Sequence, residues 1–285
     1  MVANANIKAA FSGRDLRSSA TRMELMVPKL LDDIHASGGR WRPDVVLLQE
    51  AIRRERFPGD SPDDDLSALR VATELGFATG DPYGIVVDPG TLRPRGRRIS
   101  RETAIVANLE TMRWITGGFV ATSGFKRSRP RKGVKLKRPR KAPGRRQAWA
   151  LLAESDPEGL TFPVSSVHLL THRRLNCRRG ERCTRKINRL KRTWTRQVSG
   201  RLAVAGAEAA GRAVIGGDFN AKRRDRFHAA LLDRGYLRAV GARIDFIFSR
   251  LPALAAGKDV IPTGGGRYRG SYSDHPFLWA SFDGG

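Results

Sequence analysis

The sequence predicts an α+β protein with stacked β-sheets, and three observations predict it. Strand-like and helix-like segments alternate irregularly along the chain. Several of the strands lie close enough in sequence to form hairpins. With 40% hydrophobic residues over 285 positions, the chain can bury a sizeable core.

In order, VANANIKAAF reads as a first strand. Residues 21–36 place Met23, Met26, Leu30, Leu31 and Ile34 at helical spacing, with a kink at Pro28. Pro43 precedes DVVLLQE, a short apolar run typical of a strand buried on both faces. Residues 65–76 read as a helix ending at Gly76, and 81–99, rich in Pro, Gly and Arg, reads as a loop. TAIVANL and RWITGGFV are strands, as are QAWALLAE and TFPVSSVHLL. Ile187, Leu190, Trp194, Val198 and Leu202 form the apolar stripe of a helix whose other positions are largely Arg and Lys. RAVIGGDFN is a strand running into a glycine turn, and FHAALLDRGY is a short helix. RIDFIFSR and HPFLWASF are the last strands.

Charge narrows the function. Lys+Arg is 53 against 28 acidic residues, a formal net charge of +25. Residues 126–146 hold 12 basic and no acidic residues, and residues 173–196 hold 11 basic residues and one acid, Glu181. Together they contribute +22, so the other 240 positions are nearly neutral at +3. The first basic segment, with prolines and no periodicity, reads as an exposed loop or hairpin tip; the second begins as a loop and becomes the helix. Such clusters attract polyanions, nucleic acid first and an anionic membrane surface second.

No run of 18 apolar residues exists, so membrane insertion is not expected. The chain opens on a strand rather than a signal peptide, which suits a cytoplasmic protein, or a secreted one whose signal has been removed. Cys177 and Cys183 make no disulfide framework and, without nearby His partners, a poor zinc site. They read as free thiols, or as a local disulfide in a secreted protein.

Five motifs place polar residues at the ends of, or within, apolar runs: VVLLQE with Glu50, SSVHL with His168, VIGGDFN with Asp218 and Asn220, RIDFIF with Asp245, and SDHPF with Asp274 and His275. Singly, each has an ordinary explanation: a solvated strand end, a core histidine, a turn with a helix cap. Asp245 is the exception, because a buried carboxylate costs several kcal/mol unless paired, and a protonated histidine is its natural partner. Together the five supply the parts for metal-assisted phosphodiester hydrolysis. Carboxylate and amide oxygens suit Mg²⁺ or Mn²⁺, and two histidines can act as base and as transition-state stabiliser.

The order QE, HL, GDFN, IDFIF, SDHP resembles the endonuclease/exonuclease/phosphatase superfamily, with deoxyribonuclease I-like enzymes the nearest likeness, from Asn6 to the SDHP motif. The resemblance implies a four-layer α/β/β/α sandwich of two packed mixed sheets. It implies one domain over residues 1–285, with basic insertions at 126–146 and 173–196. It implies metal binding by Asn6, Glu50 and Asp274, and Glu102 orienting His168, which donates to the scissile phosphate. Arg146 would contact phosphate. Asp218 and Asn220 would orient the nucleophile and stabilise the transition state. Asp245 would hold His275, the general base, and the products would be a 5′-phosphate and a 3′-hydroxyl.

The sequence departs from the deoxyribonuclease at Ile52, where that enzyme has an Arg two residues after its Glu; Arg53 and Arg54 follow here. Arg53, Arg145, Arg173 and Arg174 join Arg146 as candidate nucleic-acid contacts. The expected protein is a monomeric nuclease acting on DNA or RNA. The alternatives are another phosphoesterase of the superfamily, for an inositol phosphate or small nucleotide, and a catalytically silent nucleic-acid binder.

Overall fold

A computed structural model describes residues 1–6, 42–49, 51, 67–88, 103–121, 125–126, 141–142, 146–169, 181–205, 210–221, 228–258, 275 and 278–282. The helix expected over 21–36 lies outside these residues, as does most of both basic segments before residue 181.

Two six-stranded mixed sheets form the body. The first has β1 (Val2–Asn6), β2 (Val45–Gln49), β3 (Tyr83–Val87), β4 (Thr103–Asn108), β13 (Ala253–Lys258) and β14 (Leu278–Phe282). Its order is β13-β14-β1-β2-β4-β3. The second has β5 (Met112–Ala121), β8 (Arg146–Glu154), β9 (Thr161–His168), β10 (Val214–Asp218), β11 (Leu237–Ala242) and β12 (Asp245–Ser249), in the order β11-β12-β10-β9-β8-β5. Each sheet holds one parallel pair, β1–β2 and β9–β10, among antiparallel neighbours. A two-stranded ribbon, β6 (Phe125–Lys126) with β7 (Lys141–Ala142), forms the base of the first basic segment.

The layering follows from which faces are apolar. Val45, Leu47, Ile105 and Ala107 meet Ala148, Ala150, Val164, Val214 and Ile247 between the sheets. Helix α1 (Ser67–Thr79) covers the outer face of the first sheet with Ala68, Val71, Ala72 and Leu75. Helix α2 (Glu181–Ala205) covers the outer face of the second with Trp194, Val198 and Leu202, beside the short α3 (Ala229–Leu232). The result is the α/β/β/α sandwich, with β2 buried along its whole length.

Three sequence readings are corrected. Helix α1 passes Gly76 and stops at Gly80, whose φ of +77° is the left-handed conformation that ends helices. Its N–H bonds to the Gly76 carbonyl at 2.9 Å. The stretch read as a loop from 81 contains β3, because Tyr83, Ile85, Val86 and Val87 favour an edge strand despite the flanking Pro and Gly. RIDFIFSR and HPFLWASF are also joined by strands the sequence hides, the Ala/Gly-rich β11 and β13. Their small residues leave room for aromatic neighbours. A Cβ at Gly241 would lie 2.2 Å from Phe246, and one at Gly257 would lie 2.3 Å from Trp279.

Gly217 is the tightest point of the second sheet. Its φ is +151°, and a Cβ there would lie 1.9 Å from the Val167 carbonyl oxygen of β9. Gly217→Ala should therefore cost about 2 kcal/mol or more. Urea unfolding checks this, with Gly80→Ala, which meets nothing within 4 Å, as the milder comparison.

Candidate active site

Strand register assembles the site. Asp218 pairs with His168 across β10–β9 and with Asp245 across β10–β12. Registered residues on adjacent strands share a face, so His168, Asp218 and Asp245 form one row. That face looks toward the first sheet, because Ser166, two residues before His168, hydrogen-bonds the Leu48 carbonyl at 2.7 Å. The row lies where β9 and β10 end, level with the ends of β1 and β2.

His275, just before β14, reaches the row from the first sheet. Its Nδ1 lies 2.9 Å and 3.1 Å from the two carboxylate oxygens of Asp245. Asp245 is fully buried, so the imidazole supplies the partner its charge requires. A parallel couple stands beside it, with His168 Nε2 3.4 Å from Asp218 Oδ2. With Nδ1 held by Asp245, His275 presents Nε2 for proton transfer.

The GDFN turn adds a third element. Asn220 has a φ of +48°, which short polar side chains tolerate. Asp218 Oδ1 accepts the Asn220 backbone N–H at 2.7 Å. The Asn220 side-chain amide donates to the Leu169 carbonyl at 2.6 Å and to Asp218 Oδ2 at 3.0 Å. Its amide hydrogens are thus committed to protein acceptors, and donating to a phosphate oxygen requires exchanging one of them.

Two residues behind the site escape sequence reasoning. Gln147 is fully buried, and its side chain brackets the His168 peptide. Oε1 accepts the His168 N–H at 2.7 Å, and Nε2 donates to the His168 carbonyl at 3.4 Å. Lys191, on α2, is 1% exposed, and its ammonium donates to the Asn220 carbonyl. No motif marks either one. The only signal is a lysine beside the Leu190–Trp194 stripe, where a solvated cation would be ordinary.

Of the other expected residues, Arg146 is exposed and opens β8, paired with Ala121 at the same edge as Gln147. Asn6 ends β1 opposite Gln49, but its side chain is not described. Glu50, Glu102, Asp274, Arg53, Arg145, Arg173, Arg174, Cys177 and the Cys183 side chain lie outside the described residues. Asp218, Asp245 and His275 each bring one ligand atom within 4.8 Å of the others. Two hard oxygens and an imidazole nitrogen are donors a divalent cation accepts, but the Asp245–His275 contact already commits two of these residues to each other.

A two-sheet sandwich with imidazole–carboxylate couples along one edge defines a class, the two-sheet phosphoesterases. The chain belongs to the Endonuclease/Exonuclease/phosphatase family, whose family model matches residues 25–275. Among solved structures, a functionally unknown conserved protein from Enterococcus faecalis V583 has a TM-score of 0.58 at 16% identity, covering 100% of this chain and 99% of that one. D. rerio TDP2, complexed with single strand DNA product, has a TM-score of 0.51 at 16% identity, covering 99% and 98%. A Bacteroides thetaiotaomicron VPI-5482 mannosyl-6-phosphatase has a TM-score of 0.51 at 16% identity, covering 99% of each chain. No curated protein matches the chain by sequence. At these identities the likeness establishes the fold, and the substrate must be argued from the site.

Gln147→Leu would leave the buried peptide groups of His168 without these partners. It should lower stability by about 1–3 kcal/mol. Thermal unfolding checks this, and an unchanged midpoint would mean that the bracket contributes nothing.

Proposed function

We propose that the protein is a divalent-metal-dependent nuclease that hydrolyses phosphodiester bonds in DNA or RNA. The observation that carries this reading is the Asp245–His275 couple standing in register beside Asp218–His168 at one sheet edge. His275 Nε2 takes a proton from water while Asp245 stabilises the imidazolium. The hydroxide so formed attacks phosphorus in line with the departing oxygen. His168 donates to the phosphate oxygens, and Asp218 keeps both His168 and Asn220 in place. Asn6, which ends β1, with Glu50 and Asp274, which neighbour Gln49 and His275 in sequence, would hold the cation, which when bound neutralises charge on those oxygens.

Charge favours a polynucleotide over a small phosphoester. Arg185, Arg189, Arg192 and Arg196 are all exposed and fall on one face of α2, opposite its buried stripe. Spaced guanidinium groups of this kind suit a phosphodiester chain better than a single phosphate. The first basic segment springs from between β5 and β8, which pair at Ala121 and Arg146 beside the site. The likeness to D. rerio TDP2, complexed with single strand DNA product, supports this reading.

The deciding experiment incubates the protein with plasmid, single-stranded DNA, RNA, an inositol phosphate and mannose 6-phosphate, with Mg²⁺ and then with EDTA. Cleavage of a polynucleotide that EDTA abolishes is expected; turnover of the monoesters alone would replace this reading with a phosphatase. His275→Ala should lower the rate about 10²–10⁴-fold with folding and DNA affinity nearly intact. Cleavage at the wild-type rate would sink the mechanism.

A further inference from the structure

Among the described residues, Lys191 is a buried charged group that the hydrolytic scheme leaves unused. It lies on the buried side of α2, in line with Trp194, Thr195 and Val198, and is 1% exposed. Taking an ammonium out of water costs several kcal/mol unless its environment compensates. A solvent-facing lysine would have avoided that cost, as Arg192, the next residue, does. The ammonium here reaches the carbonyl oxygen of Asn220, the last residue of the GDFN turn.

That carbonyl belongs to a residue in the left-handed conformation, at φ +48°. The ammonium thus contacts the main chain of the same residue whose side chain bonds the Leu169 carbonyl and Asp218 Oδ2. Asp218 Oδ2 in turn faces His168 Nε2 at 3.4 Å. The Lys191 contact thus connects to Asn220 and, through it, to Asp218 and His168.

We propose that Lys191 is a positioning residue for phosphodiester hydrolysis. It acts through the Asn220 carbonyl to hold the Asp218–Asn220 turn in reactive geometry, and it places a buried positive charge behind the phosphate. This rests on the hydrolytic reading above. It predicts that removing the ammonium harms turnover more than substrate capture, because a misplacement of about 1 Å at a reacting group costs on the order of a hundredfold in rate.

The test uses the full-length protein with Mg²⁺ and bis(p-nitrophenyl) phosphate. Lys191→Met, close in volume but uncharged, should lower kcat about a hundredfold with KM changed less than about threefold. Lys191→Ala should recover at least tenfold of the lost kcat when propylamine is added, and propylamine should not activate the wild-type protein. A role confined to folding would instead lower the melting temperature and the active fraction together, with no amine rescue. Should Lys191→Met not fold, Lys191→Ala with and without propylamine carries the test. Wild-type kcat in the Met variant, a KM effect alone, or absence of rescue each overturns the proposal. Binding of inorganic phosphate, followed by calorimetry, separates the two readings. If the wild-type protein binds phosphate but hydrolyses no phosphodiester, the hydrolytic reading fails. The Lys191 proposal, which concerns hydrolysis, falls with it, whereas phosphodiester hydrolysis by the wild-type protein with wild-type kcat in Lys191→Met overturns the proposal alone. If the wild-type protein does neither, both fail.

Discussion

The register of β9, β10 and β12 is the constraint on which the rest of the structure depends. It sets His168, Asp218 and Asp245 side by side. Because side chains alternate faces along a strand, a slip of one residue in β12 would turn Asp245 outward and drive Phe246 between the sheets. The packing forbids that slip. Phe246 and Phe248 belong to the outer core with Phe219 and Trp194, and Ile247 belongs to the core between the sheets. Phe219 packs edge-on to Phe246 and Phe248, with ring centroids 5.9 Å and 5.4 Å away. The aromatic cluster that stabilises the second sheet therefore also aims its carboxylates.

The row needs its counterpart from the first sheet, and apolar contact alone would let two sheets slide over one another. Directional bonds set the stagger. Gln49, fully buried, shares its two amide hydrogens among Asn4 Oδ1 at 2.8 Å, the Leu47 carbonyl at 3.0 Å and Ser166 Oγ at 3.0 Å. Ser166 then bonds the Leu48 carbonyl. This link crosses the core two residues from His168 and ties the end of β2 to the end of β9. It brings His275, ahead of β14, against Asp245, ahead of the rest of β12. Polar groups buried this deeply contribute position more than net stability.

Charge and chemistry are organised at different distances from this row. The carboxylates and imidazoles are buried, where a low dielectric strengthens their interactions. Arg185, Arg189, Arg192 and Arg196 of α2 are exposed, where salt weakens their effect. Lys191 connects the two layers, a cation of the basic helix turned inward onto the GDFN turn.

The superfamily fold and the sheet that carries most of the row were legible in the sequence. The superfamily fold was legible through the resemblance in motif order, and the strands through local signals: apolar runs of strand length, a glycine turn before Asn220, and an aspartate flanked by Ile244 and Phe246 that could not stay unpaired. Strands β3, β11 and β13 were less legible, because their Ala, Gly and edge-strand character carries meaning only against partners such as Phe246 and Trp279. The end of α1 was misread for a similar reason, since both Gly76 and Gly80 could stop a helix and only the backbone selects between them. By itself, the sequence determined the types of the candidate site residues and their order along the chain. The tertiary structure alone decided which of them meet. Register, stagger and the inward turn of Gln147 and Lys191 rest on contacts between residues 21 to 118 positions apart, and no local pattern encodes a partner at that distance.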